Sequence, residues 1–358
     1  MSDYDELLQD FDRKVSVYAS FTEKLRTLIG EILRESGVTV HSVTARMKGR
    51  DSFSKKISEV EGKYFRLTDV TDLTGVRIIT YFASDVDRVA QAIEQEFVAD
   101  KENSVDKRTL LDPDRFGYLS LHYVVTLCPE RAALSEYRRY AGLKAEIQVR
   151  SILQHAWAEI EHDLGYKTAL GVPRDIRRQF SRLAGLLEIA DSEFSSIRDA
   201  LDRYEKALPA RIESAPEAVL LDKISLKSFI NSSRLVSTLD QQITDLAGGP
   251  LSEADDVVIE HKVAELHFVG IRSIAQLEEA LRSKQEMVLR FAADWLQGTK
   301  RGATQTISLL YLAYVLLGES GDVNRAMKFF EELRIGETSE GAKNAAKVID
   351  TYNRLRAK

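Results

Sequence analysis

The chain has one cysteine, Cys128, in 358 residues, so no intrachain disulfide can form and a reducing cytoplasm fits. It also lacks a long apolar run. The most hydrophobic stretch, Ile307 to Leu317, falls well short of the roughly 20 residues that span a bilayer and reads as a buried helix. No membrane partner is therefore expected, and the acidic, polar N-terminus MSDYDELLQDFDRK has no signal-peptide character. Basic excess is missing too. The formal net charge of -6 argues against nucleic-acid binding by overall charge, while leaving room for a local basic cleft. What remains is an ordinary soluble composition, 44% hydrophobic and 30% charged, at a length that suggests two domains.

The most informative stretch is Lys144 to Arg150, where polar and apolar residues alternate with the period of a β-strand. Glu146, Gln148 and Arg150 share one face, and Ala145, Ile147 and Val149 the other. The apolar face suits a core. A carboxylate, an amide and a guanidinium in one row suit either a solvated edge or a cleft holding a polar ligand. A second alternating stretch, Phe116 to Val125, sets Tyr118, Ser120 and His122 on one face. A third, Gly75 to Phe82, carries Arg77 and follows Asp69 to Thr74, which places the carboxylate of Asp72 just ahead of a buried strand.

Before these strands, Leu8, Phe11, Val15, Tyr18, Phe21, Leu25, Leu28 and Ile32 recur every three or four residues, and Gly37 follows as a stop: an amphipathic helix. Between Arg46 and Lys56 five cations fall in eleven residues, Arg46, Lys48, Arg50, Lys55 and Lys56, either a solvated basic turn at a helix start or a polyphosphate site. A helix is expected from about Asp85 to Phe97, and a basic loop or short helix from Arg131 to Tyr140. Ser151 can cap a helix with Ile152, Ala156, Trp157, Ile160 and Leu164 on one side. His155, Glu159 and His162 lie on another side at i, i+4 and i+7, a spacing that permits a metal site but offers too few ligands for a zinc centre.

Taken together, Arg46-x-Lys48-x-x-x-Ser52, Asp72-Leu73-Thr74-Gly75-Val76-Arg77, Gly117-Tyr118-x-Ser120-Leu121-His122, Glu146 to Arg150 and His155 to His162 resemble the synthetase domain of the RelA/SpoT alarmone synthetases, over roughly residues 15 to 205. The resemblance implies an α/β (α+β) fold, a mixed β-sheet flanked by helices and akin to nucleotidyltransferases. It implies transfer of the β,γ-pyrophosphate of ATP to the 3′-hydroxyl of GDP or GTP, with Mg²⁺ as cofactor. By resemblance, Asp72 and Glu146 hold the Mg²⁺ and Glu146 takes the proton of the attacking hydroxyl. Arg46 and Arg77 flank the donor adenine, while Lys48, Ser52 and Lys56 hold its phosphates. Tyr118 stacks on the acceptor guanine, and His122, Gln148, Arg150 and His155 complete the acceptor and phosphate contacts.

Two departures bear on the acceptor. Family members that make the alarmone commonly have Asn before the Gly-Tyr pair and a basic or amide residue after it, where this chain has Phe116 and Leu119. A toxin-like branch acting on the 3′ end of tRNA, or on an adenosine nucleotide, is the alternative reading, and a catalytically inactive nucleotide-sensing module a third. Only 45 residues precede Arg46, too few for the family's helical hydrolase domain, so synthesis without hydrolysis is expected.

Beyond Pro173, a heptad seam runs through Ile176, Phe180, Leu183, Leu187, Ala190, Phe194, Ile197, Leu201 and Tyr204, suited to packing on the N-terminal helix or on a second copy in a homo-oligomer. The expected organisation is a synthetase domain over 1–208, a linker over 209–216 between Pro209 and Pro216, and an all-helical domain over 217–358. There, one helix is expected from Phe229 to Leu246, and others at Ile274 to Leu281, Met287 to Leu296 and Thr306 to Leu317. Leu312 to Leu333 faintly resembles one tetratricopeptide unit.

Overall fold

Helix α1 (Asp3–Glu35) forms where the three-to-four spacing predicts it, burying Phe11, Tyr18, Phe21, Leu25 and Leu28 and leaving Val15 in solvent. The chain turns at Gly37 with φ 65°, a left-handed conformation that glycine adopts without a Cβ clash. The computed structural model describes residues 3–59, 62–106, 120–166, 173–297, 301–335 and 340–357, and the chain divides into two compact units, Met1–Asp199 and Ala200–Lys358.

The first unit continues with β1 (Val40–Met47), α2 (Arg50–Glu59), β2 (Thr74–Thr80), α3 (Asp85–Glu96), β3 (Phe97–Ala99), β4 (Val105–Asp106), β5 (Leu121–Leu127), the single turn α4 (Pro129–Ala132), β6 (Ala145–Ser151), α5 (Ile152–Tyr166) and the first part of α6 (Arg174–Ser214). Its sheet has the order β1-β2-β6-β5-β3, with β4 also on β5. Among the described residues only β2 and β6 run parallel, joined through the intervening elements; the other described pairs are antiparallel. The sheet is therefore mixed, as the resemblance implies.

Register builds the polar face. Arg46 pairs with Gly75 and Gly75 with Glu146, forming one cross-strand row; Thr44, Arg77, Gln148 and His122 form the next. Opposite, Val76, Ile78, Leu121, Tyr123, Ala145, Ile147 and Val149 are buried with Phe21, Leu25 and Ile29 of α1 and Val89 and Ile93 of α3. The alternation in β6 thus separates core from cleft, except that Arg150 at its end is itself buried.

A helix does start within the basic segment, after a strand and a short turn. The segment splits into β1, which carries Arg46, and α2, which carries Ser52 and Lys56 at i and i+4 and buries Phe53 and Ile57. Of the expected strand from Phe116, residues 121–127 form β5; Phe116, Tyr118 and Leu119 lie outside the described residues. Within the first unit α6 is tied to the end of the sheet: Ser151 Oγ donates to Asp191 Oδ2 at 2.6 Å, and Arg198 Nη1 to Asp85 Oδ2 at 2.8 Å. Ile176, Leu183, Phe194, Ile197 and Leu201 of the seam are exposed.

Helix α6 runs through Pro209 to Ser214, so most of the stretch 209–216 is helix rather than a linker, and the division between compact units falls after Asp199. The second unit adds α7 (Lys223–Ser232), α8 (Arg234–Ala247), β7 (Gly248–Ser252), α9 (Asp256–Phe268), α10 (Ile274–Trp295), β8 (Arg301–Thr304), α11 (Ile307–Ser320), α12 (Val323–Glu332) and α13 (Gly341–Arg356). It is mainly rather than wholly helical, because β7 and β8 pair in parallel. The single helix expected from Phe229 to Leu246 is two, since Ser233 ends α7 and caps α8 by accepting from Val236 N. The two helices expected across 274–296 are one: Arg282 and Ser283 are merely the solvent side of α10. The tetratricopeptide-like segment is a helical hairpin, with Gly321 left-handed at the end of α11 and Asp322 capping α12.

Gly318 of α11 sits so close to α13 that a Cβ there would fall 2.3 Å from Tyr352 Cβ. Alanine is the better helix former by up to ~1 kcal/mol, but this overlap is with an atom fixed to the backbone of α13. Gly318→Ala should destabilise the second unit by about 1–3 kcal/mol. Thermal unfolding should show a Tm lower by several degrees; an unchanged or raised Tm would rule out the close approach.

Candidate active site

Four elements meet at the polar face. The end of β1 and the turn after it supply Arg46 and Lys48, α2 supplies Ser52 and Lys56, the turn before β2 supplies Asp72, and β2 and β6 supply Arg77, Glu146 and Gln148. A cavity of about 360 Å³ is lined by Arg46, Lys48, Ser52, Asp72, Arg77 and Glu146, among others. Gly75 lies in its floor between Arg46 and Glu146, where any longer side chain would take up the space. Lys48 N donates to Leu73 O at 2.8 Å, which ties the β1 end to the turn that carries Asp72.

Asp72 is the electrostatic centre. Its Oδ2 is 3.0 Å from Lys48 Nζ and 2.8 Å from Lys56 Nζ. Its Oδ1 is buried and has no hydrogen-bond partner among the described residues. Burial pushes the Asp72 carboxyl up, but the bonds and charges of Lys56 and Lys48 outweigh it and hold it below the usual carboxylate range.

Glu146 anchors a second network. His122 Nδ1 donates to Glu146 Oε1 at 3.1 Å, Gln148 Nε2 to Glu146 Oε2 at 3.2 Å, and Arg150 Nη2 to Gln148 Oε1 at 3.2 Å. The His122 bond lowers the Glu146 carboxyl; burial raises it, His122 and Gln148 lower it further, and the neighbouring Asp72 charge raises it, with a net position below normal. Both carboxylates are thus ionised at neutral pH.

Helix α5 forms the flank. Arg77 Nη1 donates to Glu159 Oε1 at 2.8 Å, and His155 Nδ1 lies 3.7 Å from the same oxygen, too far for a hydrogen bond. Burial, Arg150, Arg77 and His41 push the His155 imidazole below its ordinary value, against the opposing pull of Glu159. No cluster of three or more metal-ligating side chains occurs among the described residues, so the His155, Glu159, His162 spacing does not assemble a metal centre there.

The structure therefore brings Arg46, Lys48, Ser52, Asp72, Arg77, Glu146 and Gln148 to one cavity, Lys56 to Asp72 beside it, and His122 and Arg150 into the Glu146 network. His155 stands apart, on the α5 side. Tyr118 lies outside the described residues. Sequence reasoning missed Thr44 and Gly75 as cavity walls, although a glycine early in a strand next to charged neighbours signals a close approach. It also took Glu159 only for its spacing from two histidines, and an ion pair to a strand 82 residues away leaves no local sequence signal.

Among known proteins, a family model described as a region found in RelA / SpoT proteins matches residues 45–170. The GTP pyrophosphokinase YwaC of Bacillus subtilis is 27% identical over 210 residues, covering 56% of this chain and 97% of the relative. GTP pyrophosphokinase YjbM of the same organism is 28% identical over 170 residues, covering 47% and 76%. The solved structure of small alarmone synthetase 2 from B. subtilis aligns with TM-score 0.46 and 26% identity, over 53% of this chain and 99% of that one. Residues 45–170, which carry most of the cavity lining and both of its carboxylates, are thus similar to the region found in RelA / SpoT proteins.

Proposed function

We propose that the chain is a Mg²⁺-dependent pyrophosphokinase that moves the β,γ-pyrophosphate of ATP to the 3′-hydroxyl of GDP or GTP. The observation that supports this most is one cavity in which Asp72 and Glu146 face Lys48 and Ser52, with Lys56 bonded to Asp72. The relatives YwaC and YjbM are named as GTP pyrophosphokinases, which agrees with it.

The residues fit a hard divalent cation. Asp72 presents a buried, unbonded oxygen, and Glu146 is near enough to feel its charge. Mg²⁺ takes one or two carboxylates and completes its shell with phosphate oxygens and water. Asp72 and Glu146 would hold it, and it would neutralise charge on the transferring phosphates.

Lys48, Ser52 and Lys56 bind the donor phosphates, the lysines leaving Asp72 as the anion enters. Arg46 and Arg77 flank the donor base, and Tyr118 stacks on the acceptor guanine. Gln148, Arg150 and His155 hold the acceptor. Glu146 takes the proton of the 3′-hydroxyl, whose oxygen bonds to the β-phosphorus while the bond to the α-phosphate oxygen breaks and AMP leaves. A carboxylate with a lowered pKa is a weak base, so its contribution is chiefly position, which His122 and Gln148 secure. The exposed Leu183, Phe194 and Ile197 of α6 support self-association.

Incubation with Mg²⁺ and β,γ-labelled ATP beside GDP, GTP, ATP or deacylated tRNA tests this reading. Label should move to the guanine nucleotides with release of AMP, and Glu146→Gln should lower the rate roughly 100-fold or more. Label on tRNA or an adenosine nucleotide alone would replace the acceptor. ATP binding without transfer to any acceptor would make the chain a sensing module.

His155 should meet its ligand as a neutral imidazole. Its ring resonances, assigned with His155→Asn, should titrate with a midpoint below 6.5. Because the unfolded chain then binds the proton first, the stability His155 contributes is present above pH 6.5 and is lost as pH falls through the folded-state value. A midpoint at or above 6.5 would contradict the burial and cationic surroundings described for it.

A further inference from the structure

One residue joins two of the elements that carry the site. Ser151 ends β6, which bears Glu146, Gln148 and Arg150, and stands directly before α5, which bears His155 and Glu159. Its hydroxyl oxygen accepts from Gln154 N at 3.2 Å, and Gln154 Oε1 accepts from Ser151 N at 3.3 Å, the reciprocal pair that opens a helix at a serine with glutamine three residues on. In an exposed cap the hydroxyl proton points to water. Ser151 is fully buried, so its proton needs an acceptor from the protein, and Asp191 Oδ2 of α6 takes it at 2.6 Å.

Asp191 is an uncommon acceptor for such a place. It is 3% exposed, and its Oδ1 has no hydrogen-bond partner among the described residues. Burial pushes its carboxyl up, and the bond from Ser151 works against that. A buried carboxylate with so little compensation weakens a fold, and a carbonyl or amide oxygen would satisfy the hydroxyl without it. Residues that break a packing rule in this way concentrate where function requires them. What the carboxylate gives is direction: it holds the Ser151 proton on one side, which leaves the oxygen lone pair to Gln154 N and fixes the first turn of α5. From this joint two short paths lead to the site. Along β6, Arg150 Nη2 donates to Gln148 Oε1 and Gln148 Nε2 to Glu146 Oε2, both at 3.2 Å. Along α5, Glu159 Oε1 accepts from Arg77 Nη1 at 2.8 Å.

We propose that Asp191 is a positioning residue for the transfer reaction: by holding the Ser151 hydroxyl it sets the joint between β6 and α5, and with it the placing of Glu146 and Gln148 against Glu159 and Arg77. This rests on the pyrophosphokinase reading above. Asp191 acts through Ser151 and meets no substrate. A displacement of about 1 Å at a reacting group can lower a rate roughly 100-fold. Ser151 also stays anchored by its pairing with Thr80 in the sheet, so the effect of losing Asp191 is smaller than that.

The test compares the full chain with Asp191→Leu, Asp191→Asn and Ser151→Ala, in steady-state transfer from labelled ATP and in thermal unfolding. Leucine fills the space without an acceptor, whereas asparagine keeps one in its amide oxygen. Asp191→Leu and Ser151→Ala should each lower kcat on the order of 10-fold, with the KM for ATP changed less than kcat. The double variant should be no slower than either, because both remove the same bond. Asp191→Asn should recover most of the rate. Tm should not follow kcat: Ser151→Ala strands a buried carboxylate and should melt below Asp191→Leu, which removes it, although the two are equally slow. A wild type that transfers while every folded variant keeps its kcat, with Tm alone altered, overturns the role given to Asp191 and leaves the enzyme reading intact. Asp191→Asn as slow as Asp191→Leu also overturns it, since the acceptor would then not be what matters. Where Asp191→Leu fails to fold, the kcat of Ser151→Ala decides. A wild type that transfers nothing to any acceptor overturns both readings.

Discussion

A single carboxylate oxygen shared by two lysines governs the site. Asp72 Oδ2 holds Lys48 and Lys56 at 3.0 and 2.8 Å, in a place where burial alone would push the carboxyl toward its neutral form. The pairing has structural reach, because it ties the end of β1, the helix α2 and the turn ahead of β2 to one point. On the proposed function it also makes the site responsive to anions. A polyphosphate offers the lysines more oxygens than Asp72 does, and a cation offers Asp72 more charge than one lysine does. Exchange of partners can therefore proceed without leaving a buried charge uncompensated, which is the condition a low-dielectric cleft imposes.

The second constraint is the sheet register. Side chains alternate with a period of two, so a slip of β6 by one residue would send Ile147 and Val149 into the cavity and Glu146 into the core. The core prevents this: Ala145, Ile147 and Val149 are fully buried with residues of α1 and α3. Packing on one face thus fixes the chemistry on the other. Gly75, placed across from both Arg46 and Glu146, keeps the floor between them open.

Within the second unit, helices supply nearly all of the architecture. Asp240 is buried and accepts from Thr306 N at 2.7 Å and Ser308 N at 2.8 Å, which holds the start of α11 against α8. Burial pushes this carboxyl up, while the bonds from Ser308 and Thr306 work against it. Thr306 itself has φ 84°, and the same two bonds hold its backbone in that strained conformation.

Much of the fold was legible locally. The three-to-four spacing along α1, the alternation in β6 and the run of apolar residues in β2 are each set by side chains within a few positions, so they can be read in order along the chain. The identities of Asp72, Glu146, Lys48 and Arg77 as site residues came from motif resemblance, and their residue types already stated the chemistry: hard acceptors beside fixed cations. What local patterns could not give were boundaries decided by partners elsewhere. Arg46 to Lys56 read as a basic turn at a helix start or a polyphosphate site, with no strand in it, because nothing there announces that Arg46 and Met47 end β1 by pairing with Gly75 and Thr74, some 27 positions on. The break at Ser233 and the continuity of α10 through Arg282 depended on a cap and on a solvent face, and β7 on pairing with β8 some 50 residues away. The sequence by itself determined which residue types, acidic, basic or apolar, stand at each motif position and which face of each strand is apolar, because both follow from side-chain chemistry and backbone period. Only the tertiary structure decided that Asp72 holds Lys48 and Lys56, that His122 and Gln148 brace Glu146, and that Glu159 reaches Arg77, because those distances are set by register and packing between segments far apart in the chain.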